Sequence, residues 1–152
     1  MELKHRIGNW IYQRIDFIEL VLVLIFAVAF ALKTQFDMPV SPLIVISLSA
    51  LSLVYFLSSF KVPETDNPEA ILMFANTLSG YSLSAATVGI LFNLMNFPGS
   101  NIMLIVGSLN LILILPTIIY MKSKNKAWNF FNNRYLFRLF IIAVSGILLW
   151  FS

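Results

Sequence analysis

Long apolar runs alternate with short polar connections along this chain. Five runs are long enough, or nearly long enough, to cross a hydrocarbon core of about 30 Å, which a helix spans with roughly 20 residues. They cover residues 17–32, 41–60, 75–95, 100–121 and 135–152. The pattern predicts an all-α integral membrane protein, a five-helix transmembrane bundle that forms one domain over residues 1–152.

The polar segment before the first run also has helical periodicity. Within residues 1–16, apolar side chains recur at Leu3, Ile7, Trp10, Ile11 and Ile15. A helix with one apolar stripe can lie in the membrane interface before the chain turns inward. The same spacing fits a simple extension of the first membrane helix equally well, and both interpretations stay open.

Composition agrees with the apolar pattern. Hydrophobic residues make up 59% of the 152 residues and charged residues 11%, whereas a soluble domain carries roughly 25% charged residues. So few polar side chains cannot cover a globule, and the excess apolar surface must face lipid. The chain has no cysteine, which excludes disulfides, thiolate metal sites and cysteine nucleophiles.

Lysine and arginine are unevenly distributed between the two ends of the predicted bundle. If the N-terminus is cytoplasmic, nine of the ten basic residues lie on the cytoplasmic side and only Lys33 lies outside. Basic residues close to span ends favour the cytoplasmic side. We therefore predict a cytoplasmic N-terminus.

The connection before the fifth run mixes cations with aromatic side chains. Lys122, Lys124 and Lys126 are expected to attract anionic lipid headgroups, at about 1 kcal/mol each. Basic residues interleaved with aromatics can also bind single-stranded nucleic acid. Next to two apolar runs we favour an interfacial aromatic belt around Trp128 with snorkelling lysines, and we expect no nucleic-acid partner.

Two ionisable residues lie inside the predicted spans, Glu19 in the first and Arg138 in the fifth. Charged groups in a bilayer are costly and are therefore candidates for function. Asp16 precedes Glu19 by three residues and Arg134 precedes Arg138 by four, so each pair lies along one side of its helix. The four side chains could form an interhelical ion-pair ladder, although we favour the interpretation that each snorkels separately toward water.

The third run is the most polar and also carries small residues four apart. Small faces let helices approach closely, and hydroxyls can bond across the contact. One hypothesis is a permeation path along this run and the fourth; central packing of the bundle is the interpretation that we favour. The candidate residues for either role are Asn76, Ser79, Ser82, Ser84, Thr87 and Asn110.

Two elbows with similar sequences separate the first run from the second and the third from the fourth. Aligning residues 32–53 with 92–112 places Asp37 on Asn96 and Pro39 on Pro98, with a period of 59 residues, which indicates a possible tandem repeat of helical hairpins. Pro98 and Gly99 are expected to break one helix, and Ser100 to cap the next. Lys33 and Asp37 in the first elbow could receive a partner, but a solvated pair is the interpretation that we favour.

The elbows also resemble known membrane hairpins. LKTQFDMPVSPLIVISLSALSLVYFLSSFKVPE, residues 32–64, resembles the transmembrane hairpin of the GldL-like gliding-motility proteins of Bacteroidota inner membranes. LFNLMNFPGSNIMLIVG, residues 91–107, resembles the related Lys-x-x-His-Trp-Pro-Gly elbow of small multi-span proteins of the same bacteria, with Asn93 and Asn96 at the Lys and His positions. The resemblance implies a bacterial inner-membrane, non-enzymatic subunit and does not imply a motor function.

Nothing in the sequence resembles a catalytic constellation. His5 has no second ligand nearby in the sequence, no serine sits in an elbow motif, and no glycine-rich phosphate loop occurs. We therefore expect no enzymatic activity, metal or cofactor. The functional expectation is an accessory or scaffold subunit of a multi-protein membrane complex, with a small homo-oligomeric transporter or channel as the alternative.

Overall fold

The computed structural model of the protein describes residues 2–36, 39–61 and 70–151, with side chains from residue 6 onward. These residues form five α-helices and a short 3-10 helix, Lys126–Phe130, between the last two α-helices. The α-helices are α1 (Glu2–Phe36), α2 (Ser41–Ser58), α3 (Ala70–Leu94), α4 (Ser100–Lys124) and α5 (Asn133–Phe151). The predicted all-α architecture is confirmed.

Helix α1 is longer than the apolar run that predicted it. It continues without a break for 35 residues, about 50 Å at a rise of 1.5 Å per residue. Residues 2–16 therefore extend the first membrane helix and do not form a separate interfacial helix. The buried side chains of Ile11 and Ile15 lie on the same continuous helix as the membrane part. The apolar spacing therefore fitted both interpretations.

Within the described residues, four helices are long and apolar enough to cross a membrane: residues 6–36 of α1, and α2, α4 and α5. Helix α3 is long enough, but its many polar residues keep it out of this group. It packs against α2, α4 and α5, and its polar side chains Asn76, Ser79, Ser82 and Thr87 are buried there. The most polar of the five runs is thus shielded from lipid by its neighbours.

Glycines allow the central helices to approach closely. An added Cβ on Gly107 of α4 would lie 2.6 Å from the Cα of Ala86, and one on Gly89 of α3 would lie 2.7 Å from the backbone nitrogen of Leu104. Both distances are shorter than a van der Waals contact. Helices α3 and α4 therefore touch backbone to backbone, as helices with small residues at their interface do in membranes.

The α3–α4 elbow ends the helix by a different device from the one expected. Asn96 has a φ of 54°, its N–H donates to the Asn93 carbonyl, and the Phe97 N–H donates to the Phe92 carbonyl. These two bonds form a Schellman motif, so α3 ends before Pro98 is reached. The expectation that Pro98 and Gly99 break the helix is wrong in this respect.

The predicted serine cap is also wrong. Ser100 is the first helical residue of α4, Gly99 with a φ of 86° precedes it, and no side chain caps the helix. Ser41 begins α2 in the same way after Val40. The two helices start 59 residues apart, which is the period of the proposed repeat. Each of them starts two residues after a proline.

The segment between α4 and α5 is packed into the protein. Trp128, Phe131 and Tyr135 are nearly inaccessible to solvent, so the expectation of an exposed aromatic belt is wrong for these rings. The Lys122 ammonium donates to the Phe131 carbonyl at 2.9 Å and to Asn133 Oδ1 at 2.8 Å. Lys122 therefore fastens this segment, whereas Lys124, at the end of the same helix, is exposed.

The contact between α3 and α4 yields a stability prediction. We expect Gly107→Ala to lower the free energy of unfolding by about 1–3 kcal/mol, the usual cost of overpacking, because the new methyl group would overlap the backbone of Ala86. Unfolding in mixed micelles with increasing denaturing detergent measures this. Val106→Ile adds one carbon at the neighbouring exposed position and should change stability by less than about 0.5 kcal/mol. Equal effects of the two substitutions would contradict the assigned contact.

Candidate functional site

The structure brings together all four charged residues of the proposed ladder. Arg138 Nη2 lies 3.0 Å from Asp16 Oδ1, and Arg134 Nη1 lies 3.0 Å from Asp16 Oδ2. Arg138 Nε donates to Glu19 Oε2 at 2.6 Å. The preferred interpretation of separate snorkelling is therefore wrong, because the two arginines on α5 reach across to the two carboxylates on α1.

Arg138 is the centre of this charge cluster. Its side chain is 6% exposed, against 21% for Glu19, 48% for Asp16 and 79% for Arg134. A buried guanidinium is tolerated when charges and hydrogen bonds compensate its lost hydration, and Arg138 has a carboxylate on two of its nitrogens. The cluster pairs two cations with two anions, so it is neutral as a whole.

A tyrosine joins α2 to the cluster. The Tyr55 hydroxyl donates to Glu19 Oε1 at 2.5 Å, so both carboxylate oxygens of Glu19 are engaged. The Arg138 guanidinium also lies 5.9 Å from the Tyr55 ring centroid and 5.8 Å from that of Tyr135. Guanidinium groups are attracted to aromatic faces at such distances, and the cluster therefore connects α1, α2 and α5.

A second polar chain continues from Tyr135 into α3. The Tyr135 hydroxyl and Ser79 Oγ lie 2.7 Å apart, and Ser79 Oγ donates to the Asn76 carbonyl. The Asn76 side-chain amide donates to the carbonyls of Ser59 and Lys61, both at 3.0 Å. The end of α2 is thereby fixed to α3 beside the charge cluster.

The other polar residues of α3 bond within the bundle. Ser82 and Thr87 donate to carbonyls one turn back in their own helix, and Ser84 Oγ lies 2.8 Å from Ser52 Oγ on α2. Asn110 on α4 is half-buried and takes part in none of these bonds. The contacts of Ser82, Ser84 and Thr87 agree with the packing interpretation, since their hydroxyl groups are directed at protein atoms.

The elbow residues lie at the opposite end of the bundle from the charge cluster. Lys33 is half-buried near the end of α1, and Asn96, Pro98 and Gly99 are exposed in the α3–α4 turn. Asp37 lies outside the described residues, so its expected pairing with Lys33 stays a prediction. The structure thus separates the elbow candidates from the ion-pair candidates by the length of the helices.

Sequence reasoning missed Tyr55, although a signal for it exists. Glu19 lies 18 residues before position 37 and Tyr55 lies 18 residues after it, so a hairpin that turns at that position places the two side chains at the same depth. Depth alone could have suggested a partner for Glu19. The rotation of each helix about its axis, which decides actual contact, is not visible in this spacing.

A lysine held between two aromatic rings was also missed. Lys61 Nζ lies 3.3 Å from the ring centroid of Tyr12 and 4.1 Å from that of Phe130, and the two rings are stacked 6.1 Å apart. The Tyr12 hydroxyl donates to the Phe130 carbonyl. This arrangement ties α1 and the end of α2 to the 3-10 helix, again next to the charge cluster.

The chemistry of this end of the bundle is ionic and hydrogen-bonding. In the part of the chain that the structure describes, no three His, Cys, Asp or Glu side chains are close enough to hold a metal ion. Comparisons with known protein families, curated proteins and solved structures found no match to this chain. The functional argument therefore rests on the structure of the chain itself.

Removing one partner of the cluster tests its contribution to stability. We expect Arg138→Met to cost roughly 3–5 kcal/mol of unfolding free energy, because it leaves Glu19 as a half-buried charge without its cation. The double variant Glu19→Gln, Arg138→Met should be more stable than the single one. Detergent-induced unfolding of the purified protein measures both.

The matched control for this prediction is Arg134→Met. This guanidinium is 79% exposed, and an exposed ion pair contributes about 1 kcal/mol or less. A cost at Arg138 no larger than that at Arg134 would show that the buried cluster does not hold α1 to α5.

Proposed function

We propose that this protein is a non-enzymatic accessory or scaffold subunit of a membrane protein complex in a bacterial inner membrane. It binds other membrane proteins through outward-facing helix surfaces. The observation that carries the proposal is the outer surface of α1. The resemblance of the elbows to inner-membrane hairpin proteins points in the same direction.

The apolar stretch of helix α1 is little buried by the rest of its own chain. In its most apolar stretch 11% of the residues are buried, compared with 28% to 39% in the other candidate membrane helices. Helices in a membrane associate through van der Waals packing of complementary surfaces. A helix that uses so little of its surface internally has most of it available for a partner.

An outward stripe on α1 is the proposed contact surface. It consists of Phe17, Val21, Ile25 and Val28, which follow one another at intervals of four, four and three residues and are all exposed. Side chains at this spacing lie along one side of a helix. The buried residue Ile15 faces the bundle, and Phe17, two residues on, lies nearly opposite it on a helix of 3.6 residues per turn.

A transporter or channel is supported less well. Such a protein needs polar groups directed at a water-filled path, whereas the hydroxyls of Ser79, Ser82, Ser84 and Thr87 are bonded to protein atoms. The backbone contact of α3 with α4 at Gly107 leaves no space between these two helices.

Site-specific photocrosslinking tests the scaffold proposal. With a photoreactive amino acid at Phe17 or Val28, we expect irradiation of native membranes to give a cross-linked product heavier than the chain and containing a different polypeptide. Leu113 on α4 has a similar exposure to Phe17 and is the control position, expected to give no protein adduct. Adducts containing only a second copy of this chain, or solute flux in proteoliposomes that Asn76→Ala abolishes, would favour the homo-oligomeric alternative.

We further propose that the N-terminus is cytoplasmic, because the end of the bundle that carries the 3-10 helix also carries most of the lysines and arginines. The chain has no cysteine, so single cysteines can be introduced without background. We expect Asn129→Cys to react with a membrane-impermeant maleimide only after the cells are permeabilised. Asn101→Cys, at the opposite end, should react in intact cells. The reverse pattern would exclude this orientation.

A further inference from the structure

An apolar cleft that is open to the surface lies between helices α1 and α5. Leu20, Val23 and Leu24 line it on α1, Phe137, Ile141 and Ile142 line it on α5, and its volume is about 540 Å³. This volume lies within the range of roughly 300–1,000 Å³ that is usual for small-molecule sites. Leu20 and Phe137 at its rim are exposed, so the α1–α5 cleft opens toward the surrounding lipid.

A smaller polar cavity lies beside one end of the cleft. Asn9, Gln13, Asp16, Lys61 and Asn132 are among the residues that line this cavity of about 330 Å³. Asp16 also lines the apolar cleft, so the two spaces lie on either side of this residue. On α1 the lining residues 9, 13, 16, 20 and 23 share one side of the helix. We call the two spaces together the groove, which has a polar end and an apolar end.

The width of the groove limits its occupant. At the junction, Arg134 and Arg138 on α5 reach Asp16 on α1 at 3.0 Å, so the walls are only one pair of side chains apart. A helix with its side chains is about 10–12 Å across and cannot enter such a space. An extended acyl chain can lie in it.

The charges at the junction limit the headgroup. Arg134 is 79% exposed and Asp16 is 48% exposed, so both signs of charge are offered side by side. A headgroup with a phosphate and an ammonium matches this pair, whereas a purely anionic headgroup would meet the Asp16 carboxylate.

We infer that the groove selectively binds one glycerophospholipid with a primary ammonium headgroup. Its acyl chain lies in the α1–α5 cleft, its phosphate contacts Arg134, and its ammonium donates to Asp16. This inference does not depend on the scaffold proposal, because the contact stripe contains none of the residues that line the groove.

Native mass spectrometry of the full chain tests the inference. After reconstitution with equal amounts of phosphatidylethanolamine and phosphatidylglycerol, followed by extraction in mild detergent, we expect one phosphatidylethanolamine per chain. Val23→Trp fills the cleft and should abolish this retention. Leu113→Trp adds the same ring at an exposed position of α4 outside the groove and should leave retention unchanged.

Headgroup variants test the polar end. Asp16→Asn and Arg134→Gln should each lower the retention of phosphatidylethanolamine about tenfold, the effect of losing roughly 1.4 kcal/mol. Asp16→Asn should also reduce the preference over phosphatidylglycerol, because the carboxylate that disfavours an anionic headgroup is then gone.

A measurement on the unaltered chain covers the case in which a variant fails to fold. Phosphatidylethanolamine with a diazirine in its acyl chain should give adducts concentrated at residues 20–24 and 137–142. Adducts spread over the whole apolar surface, or equal lipid retention by Val23→Trp and Leu113→Trp, would show annular lipid only and overturn the inference. Equal retention of phosphatidylglycerol by the unaltered chain, or a protein cross-linked to the groove in native membranes, would overturn it as well.

Discussion

A buried guanidinium must have its charge matched inside the protein, because neither lipid nor distant water can do so. Arg138 meets this requirement with two carboxylates that both come from α1. Helix α1 otherwise packs mainly along α2, so the position of the first helix relative to the last depends on these ion pairs, to which Arg134 adds an exposed contact with Asp16. Tyr55 adds α2 to the same cluster through Glu19, and three helices are thereby held at one depth.

The same requirement for internal partners explains the centre of the bundle. Hydroxyl and amide groups in a hydrocarbon environment have to be satisfied by protein atoms. Helix α3 carries many of them, and it is surrounded by three helices that supply acceptors or cover its polar side chains. Glycines such as Gly107 make this arrangement possible, because they let the neighbouring backbone approach closely enough to exclude lipid and water.

The sequence predicted the helical elements and the helix side that each charged pair occupies, because both follow from local periodicity. The spacing of Asp16 with Glu19 and of Arg134 with Arg138 placed each pair on one helix side, and the structure joins them. The partners from other helices, Tyr55 and Lys61, could not be predicted in this way, since contact depends on the rotation of each helix against its neighbours. The helix end at Asn96 was missed because the left-handed conformation of an asparagine has no strong sequence signal beside a proline and a glycine.

Lys61 shows that the charge a chain displays during membrane insertion differs from the charge that the folded protein presents. The lysine counts fully toward orientation while the helices are being inserted. Once folded, its ammonium lies over two aromatic rings, Lys122 is bound to the neighbouring segment and Arg138 is enclosed by carboxylates. The attraction of the folded protein for an acidic membrane surface therefore rests on fewer cations than the composition suggests. Among the described side chains at this end, the exposed ones include Arg6, Arg14, Lys124 and Lys126.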